Sequence, residues 1–145
     1  MREVRRTAVV PYSAEEMFNL VNDVAAYPDF LAWCYQARIH RSTAEEVEAS
    51  LGLAHGALKG EFTTINRLSP WEEIRIDLVG GPFRHLDGRW TFEALDEDAS
   101  EVGVEMRFEF ASPITGLLFN SIFEQIVGSL VDAFSDRART VYGQR

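Results

Sequence analysis

The feature that most constrains the fold of this chain is a long region, residues 35–110, in which apolar residues recur at every second position. In its clearest segment, Glu101–Phe110, valine, methionine and phenylalanine alternate with glutamate, glycine and arginine. This period is typical of an antiparallel sheet that is covered on one face and solvated on the other. The region is divided into about six strands by turn-forming residues near Gly52–Gly60, Ser69–Pro70, Gly80–Pro82 and Asp96–Ser100.

The N-terminal segment precedes this region with one more strand and two short helices. A strand is predicted over Glu3–Val10, and Ser13 with Glu16 then forms a capping box that begins a helix. The helix cannot continue through the proline that follows, so Asp23–Cys34 is predicted as a short second helix or turn. The whole sheet is therefore expected to have about seven strands.

The chain ends in one long helix. Ser112 and Pro113 suit the N-cap and the first helical position, and the apolar stripe continues to Tyr142, a length of roughly 45 Å. Its first three turns, from Ile114 to Phe123, have almost no polar face, so we expect them to be covered on both sides. The element order predicts an α+β fold, a single domain over residues 1–145 in which a curved antiparallel sheet wraps around this helix.

Composition excludes several classes of protein. The 145 residues include one cysteine, Cys34, so no disulfide framework can form. No secretory signal is found, and the longest stretch without a charge, Phe110–Phe123, is shorter than the roughly 18 apolar residues of a membrane span, so a cytoplasmic protein is expected. The net charge of −9 disfavours a broad nucleic-acid footprint, and DNA in particular.

Few residues suit catalysis. The three histidines have no partner at i+3 or i+4, and no phosphate-binding loop or nucleophile elbow occurs. Cys34 is interpreted as a small buried hydrophobe. We therefore expect no enzymatic activity, no metal and no required cofactor. An aromatase or cyclase would have to use Thr64 or Asn66, whose orientation in the strand is ambiguous. A filled core and a ligand cavity under the sheet both remain open.

Three segments carry a resemblance to a known family. They are VPYSAEEMFNLVNDV at Val10–Val24 followed by YPDFLAWC, LVGGPFRHLDGRWTF at Leu78–Phe92, and the FEF of Phe108–Phe110 with the final helix ending in RARTVY. Together they resemble the coenzyme Q-binding, START-like (polyketide cyclase-like) family, and within it the ribosome association toxin RatA branch. The resemblance covers nearly the whole chain.

The resemblance implies a helix-grip fold with an apolar tunnel between the sheet and the C-terminal helix. The implied ligand is ubiquinone or another polyprenyl lipid, in support of respiration, with transient contact at the surface of the inner membrane. The alternative, which is compatible with the first, is a toxin that binds the large ribosomal subunit and blocks subunit association. The family supplies no catalytic residues to transfer.

Two groups of residues are predicted to carry these functions. The expected cavity lining, with Phe83 at its rim, is Trp33, Phe83, Trp90, Phe92, Met106, Phe108, Phe119, Ile122, Phe123, Ile126 and Leu130. A basic patch for the ribosome would form if the first two strands lie close together. Its members are Arg2, Arg5, Arg6, Arg38 and Arg41. Such a contact would depend strongly on salt concentration.

Overall fold

The alternating region and the N-terminal segment build one antiparallel sheet in a computed structural model that describes residues 1–145. The strands are β1 (Arg2–Val10), β2 (Cys34–Ser42), β3 (Glu46–His55), β4 (Leu58–Ser69), β5 (Glu73–Gly80), β6 (Phe83–Asp96) and β7 (Ala99–Phe110). Their order across the sheet is β1-β7-β6-β5-β4-β3-β2, so β1 and β2 form its two edges. The predicted fold class, a seven-stranded sheet with a long C-terminal helix, is confirmed.

The helices begin where their capping residues predict. Helix α1 spans Ala14–Asn22, and its capping box is complete: the amide of Glu16 donates to Ser13 Oγ, and the amide of Ser13 donates to Glu16 Oε1, both at 3.0 Å. A 3₁₀ helix follows over Val24–Asp29 and is shorter than the predicted second element. Helix α2 spans Pro113–Tyr142 with Ser112 as its N-cap.

The turn between β3 and β4 is shorter than the predicted break near Gly52–Gly60. The turn is confined to Gly56 and Ala57, and Gly52 lies inside β3. Gly52 lies beneath an aromatic ring there: a Cβ at this position would lie 2.7 Å from Cζ of Tyr35, so the ring would have to move to accommodate a side chain. The glycine therefore marks the close approach of an aromatic ring rather than a turn.

Helix α2 lies against one face of the sheet, which we call the inner face. Its sheet-facing residues are buried from Phe123 onward. The expectation that its first turns are covered on both sides is wrong: Leu117 is 85% exposed, and Ile114 and Leu118 are also exposed. The cause is the placement of α1, which packs near the other end of α2, where Tyr142 Oη donates to the carbonyl of Glu16 at 2.9 Å. No second layer covers the start of α2.

Helix α2 also has the length and composition of a membrane span. An 18-residue window within Pro113–Tyr142 has a mean hydropathy of 1.4, and 28% of that window is buried. Core helices pass the same test. In this fold the buried residues of α2, among them Val127, Val131 and Phe134, join the hydrophobic core that the inner face of the sheet completes.

Candidate ligand cavity

A cavity of about 80 Å³ lies between α2 and the inner face of β3–β7. Fourteen of the 16 residues that line it are hydrophobic. The strands contribute Leu51, Phe62, Thr64, Asn66, Ile74, Ile76, Trp90 and Met106. The helices and the segment before β2 contribute Val21, Tyr27, Trp33, Phe123, Ile126, Val127, Leu130 and Phe134. The space under the sheet is thus an apolar cavity, closed on its helical side mainly by the middle of α2.

Six of the predicted lining residues border this cavity. They are Trp33, Trp90, Met106, Phe123, Ile126 and Leu130. The other five pack elsewhere, and Phe83 is buried rather than at a rim: its ring stacks on Phe110 with centroids 4.7 Å apart. Phe108 joins the same aromatic cluster through Phe123 at 4.7 Å.

The remaining predicted residues belong to the core around the cavity. The ring of Phe92 meets Phe18 of α1 edge to face, with centroids 5.5 Å apart. Phe119 and Ile122 are half-buried on α2 and pack against the core. These residues support the cavity wall without bordering the space, so their role as ligand contacts stays a prediction with no direct geometric support.

Several lining residues were missed by the sequence reasoning. Phe62, Ile74 and Ile76 line the cavity from β4 and β5. The alternation marks Ile74 and Ile76 as apolar positions of a strand, but they were not assigned to the cavity lining. Tyr27 lies in the 3₁₀ helix, where no periodic signal exists. Phe134 was recognised as part of the α2 stripe but not as a wall of the cavity.

Two polar side chains from β4 face the cavity. Thr64 and Asn66 both border it, which resolves their ambiguous orientation, and Thr64 Oγ1 donates to Asn66 Oδ1 at 3.0 Å. A third polar group belongs to Trp33, whose Nε1 is buried and has no hydrogen-bond partner. The cavity therefore combines apolar walls with a small number of uncharged polar groups.

The cavity offers little for acid–base chemistry. Its one titratable lining residue is Tyr27, whose hydroxyl donates to the carbonyl of Val21. Burial raises the pKa of the Tyr27 phenol, so it stays protonated at neutral pH. Burial likewise raises the pKa of the Cys34 thiol, which fits a small buried group better than a nucleophile. No group of three or more metal-ligating side chains is present.

The arginines predicted to form one patch are separated. Because β1 and β2 are opposite edges of the sheet, Arg5 and Arg38 lie on different sides of the molecule. Most of the five are also neutralised by ion pairs, such as Arg2 with Glu124 at 2.8 Å and Arg38 with Glu61 at 2.6 Å. The single patch is not formed, because sequence proximity of two strands does not imply that they are neighbours in the sheet.

Comparison with known proteins agrees with this architecture. The family model described as polyketide cyclase / dehydrase and lipid transport matches residues 10–135. The ribosome association toxin RatA of Vibrio cholerae is 42% identical over 144 residues, covering 99% of this chain and all of the relative. The mitochondrial coenzyme Q-binding protein COQ10 homolog B of Xenopus laevis is 24% identical, covering 99% of this chain and 60% of the relative.

Among solved structures, the Zhui aromatase/cyclase of Streptomyces sp. R1128 superposes with a TM-score of 0.84 at 17% identity, covering 99% of both chains. At this identity the likeness shows the fold alone. The seven-stranded sheet with its long C-terminal helix is the fold of these structural neighbours, and the family model matches most of the sequence. The chain therefore belongs to the START-like polyketide cyclase / dehydrase and lipid transport family.

Proposed function

We propose that this protein binds a hydrophobic ligand, ubiquinone or another polyprenyl lipid, in the cavity between the sheet and α2, and catalyses no reaction on it. The observation that carries the proposal is the cavity lining, hydrophobic in 14 of 16 residues. The Xenopus relative, whose name describes coenzyme Q binding, supports the choice of ligand. Each buried CH₂ group contributes about 0.8 kcal/mol, so a prenyl tail binds without specific polar contacts.

The size of the cavity sets a condition on this binding. An engineered cavity of roughly 150 Å³ accommodates benzene, whereas this cavity measures about 80 Å³. A quinone ring can enter only if the walls separate. A neighbouring surface groove of about 340 Å³ shares Trp33 and Ile126 with the cavity, and we propose that the tail lies along it.

The start of α2 is an exposed apolar surface. Ile114, Leu117 and Leu118 are exposed within two turns of the helix. Exposed apolar side chains on a helix insert into the interface of a bilayer. We propose transient contact with the inner membrane by an otherwise cytoplasmic protein, and a supporting role in respiration.

Ligand occupancy and a cavity-filling variant test the proposal. Lipid extraction of the protein purified from a quinone-containing host, with native mass spectrometry, should reveal a bound polyprenyl lipid. Ubiquinone should raise the Tm of the wild type. Ile126→Trp should abolish this rise, because the indole fills the cavity, while Leu117→Trp on the exposed side of the same helix should retain it. Absence of extractable lipid together with an unchanged Tm would refute the proposal.

Ribosome binding is the second candidate. It is favoured by the RatA relative, which matches essentially the whole chain at 42% identity. We propose association with the large ribosomal subunit, through a surface other than the cavity. Sucrose gradients at low salt should place the protein in large-subunit fractions and reduce the 70S peak. A protein that stays at the top of the gradient at every salt concentration has no such partner.

Cyclase activity is the enzymatic alternative that is compatible with the fold. Within the cavity it would depend on Thr64 and Asn66, since the one titratable lining residue is the protonated Tyr27. If a polyketide substrate is converted, alanine replacement of both residues should abolish the conversion. Conversion that survives both replacements would remove them as catalytic residues.

A further inference from the structure

We infer that the ligand of this cavity is neutral and presents a hydrogen-bond acceptor, such as the carbonyl oxygen of a quinone ring, to the indole N–H of Trp33. The inference deepens the proposed function and rests on it. Neither the family description nor the relatives assign a residue to the recognition of a ligand's polar atoms.

The first observation is that Trp33 carries an unpaired buried donor. Its residue is 9% exposed, and Nε1 has no hydrogen-bond partner. Only one other buried side-chain polar atom is unpaired, Oδ1 of Asn22, and Asn22 does not line the cavity. Buried donors without a partner are rare because desolvation costs them a hydrogen bond to water. The indole N–H can only donate, so its missing partner is an acceptor.

The second observation is where Trp33 lies. It borders both the cavity and the adjoining groove, and among the lining residues only Ile126 does the same. A ligand with its ring in the cavity and its tail in the groove would contact Trp33, which lines both. The polar atoms of such a ligand sit on the ring, next to the point where the tail begins.

The third observation concerns charge. No Asp, Glu, Lys, Arg or His lines the cavity. A carboxylate or phosphate brought into this space would lose its hydration without gaining a counter-ion. The cavity therefore selects against fatty acids and phospholipid head groups and suits an uncharged carbonyl.

Asn66 supplies a second donor on the strand side. Its Oδ1 is occupied by the hydroxyl of Thr64, while its Nδ2 makes no hydrogen bond within the protein. A quinone carries two carbonyl oxygens on opposite sides of its ring. Trp33 and Asn66 belong to different parts of the wall, the segment before β2 and strand β4, and we infer that each donates to one of the two oxygens.

Paired ligands and a conservative variant test the inference. Calorimetric titration would compare decylubiquinone with n-decylbenzene, which has the same tail and no carbonyl oxygen. Wild type should bind decylubiquinone more tightly. Trp33→Phe, which keeps an aromatic ring and removes the N–H, should weaken decylubiquinone binding about tenfold and leave decylbenzene within about twofold. Phe62→Leu, a purely apolar change in the same wall, should weaken both ligands alike.

The outcomes separate this inference from the function on which it rests. Equal affinity of wild type for the two ligands, or equal weakening of both by Trp33→Phe, overturns the inference and leaves hydrophobic ligand binding intact. Binding of neither ligand overturns both. If Trp33→Phe does not fold, the infrared carbonyl stretch of ¹³C-labelled decylubiquinone bound to wild type tests for the hydrogen bond directly. A lower frequency than in hexane supports the hydrogen bond, and an unchanged frequency refutes it.

Discussion

Gly88 on β6 has no room for a side chain against the neighbouring strand β7. A Cβ at this position would lie 2.2 Å from the carbonyl oxygen of Glu105 and 2.4 Å from Sδ of Met106. Gly88→Ala is therefore expected to lower the free energy of unfolding by about 2–3 kcal/mol, measured by urea denaturation. Gly80→Ala is the matched control, since nothing lies within 4 Å of its Cβ position. Similar losses in the two variants would contradict this account of the strand contact.

Glu16 makes stability depend on pH. The guanidinium of Arg145 donates to both of its carboxylate oxygens, at 2.6 and 2.8 Å, and this lowers the pKa of Glu16 below its ordinary value of 4.5. A lowered pKa in the folded state means that the contribution is present above pH 4.5 and is lost as the pH falls through the folded-state pKa.

The stability difference between wild type and Glu16→Gln should consequently shrink between pH 6 and pH 3. Thermal unfolding across this range measures it. Glu15→Gln provides the control on the same turn, because Glu15 makes no ion pair or side-chain hydrogen bond. A difference that stays constant with pH would contradict a lowered pKa of Glu16 in the folded protein.

Helix α2 is an element with one buried side and an exposed start. Phe123 is 3% exposed and meets Phe83, Phe108 and Phe110, whereas Leu117 on the same helix faces solvent. Phe123→Ala should cost about 3–5 kcal/mol of unfolding free energy, and Leu117→Ala less than about 0.5 kcal/mol. A large loss on Leu117→Ala would mean that a partner covers this surface in solution.

Element boundaries were predictable where they depend on local chemistry. Ser13 with Glu16 marks one helix start through the hydrogen bonds of its capping box. Ser112 marks the other by accepting from the amide of Thr115, with Pro113 at the first helical position, and both starts were predicted correctly. Gly52 was misread as part of a turn. The ring that packs over it belongs to Tyr35 on another strand, and this contact is not visible in the local sequence. The order of the strands is likewise set by long-range pairing, which explains the wrong grouping of the arginines on β1 and β2.

At the scale of the whole molecule, the existence of an apolar inner face was predictable and the exact wall of the cavity was not. Alternation places both Trp90 and Phe92 on the inner face, yet only Trp90 borders the cavity, because α1 brings Phe18 onto Phe92. The positions of α1 and α2 determine which inward-facing residues border the cavity. Neither is encoded in the period of a single strand.

The proposed membrane contact is tested at the scale of the assembled molecule, through the apolar side chains that the fold leaves exposed at the start of α2. Replacing Leu117 and Leu118 together by glutamine removes most of the exposed apolar surface at the start of α2. The double variant should bind phosphatidylglycerol/phosphatidylethanolamine vesicles about tenfold or more weakly in a co-sedimentation assay, since buried apolar area drives such binding.

The same variant should retain ligand binding measured without vesicles, because neither leucine lines the cavity. Val9→Gln, at another exposed apolar site on β1, is the control and should leave vesicle binding unchanged. Full vesicle binding by the double variant would place the membrane contact elsewhere.

The position of β1 and β2 at the two ends of the strand order has a consequence for the behaviour of the protein at high concentration. An open sheet leaves two rows of backbone hydrogen-bonding groups without a partner strand, and these rows invite pairing with a second molecule. Arginines stand along both rows, including Arg5 on β1 and Arg38 and Arg41 on β2. Charged side chains on edge strands discourage such pairing. We therefore expect these arginines to limit edge-to-edge aggregation, a role that is independent of any ribosome contact.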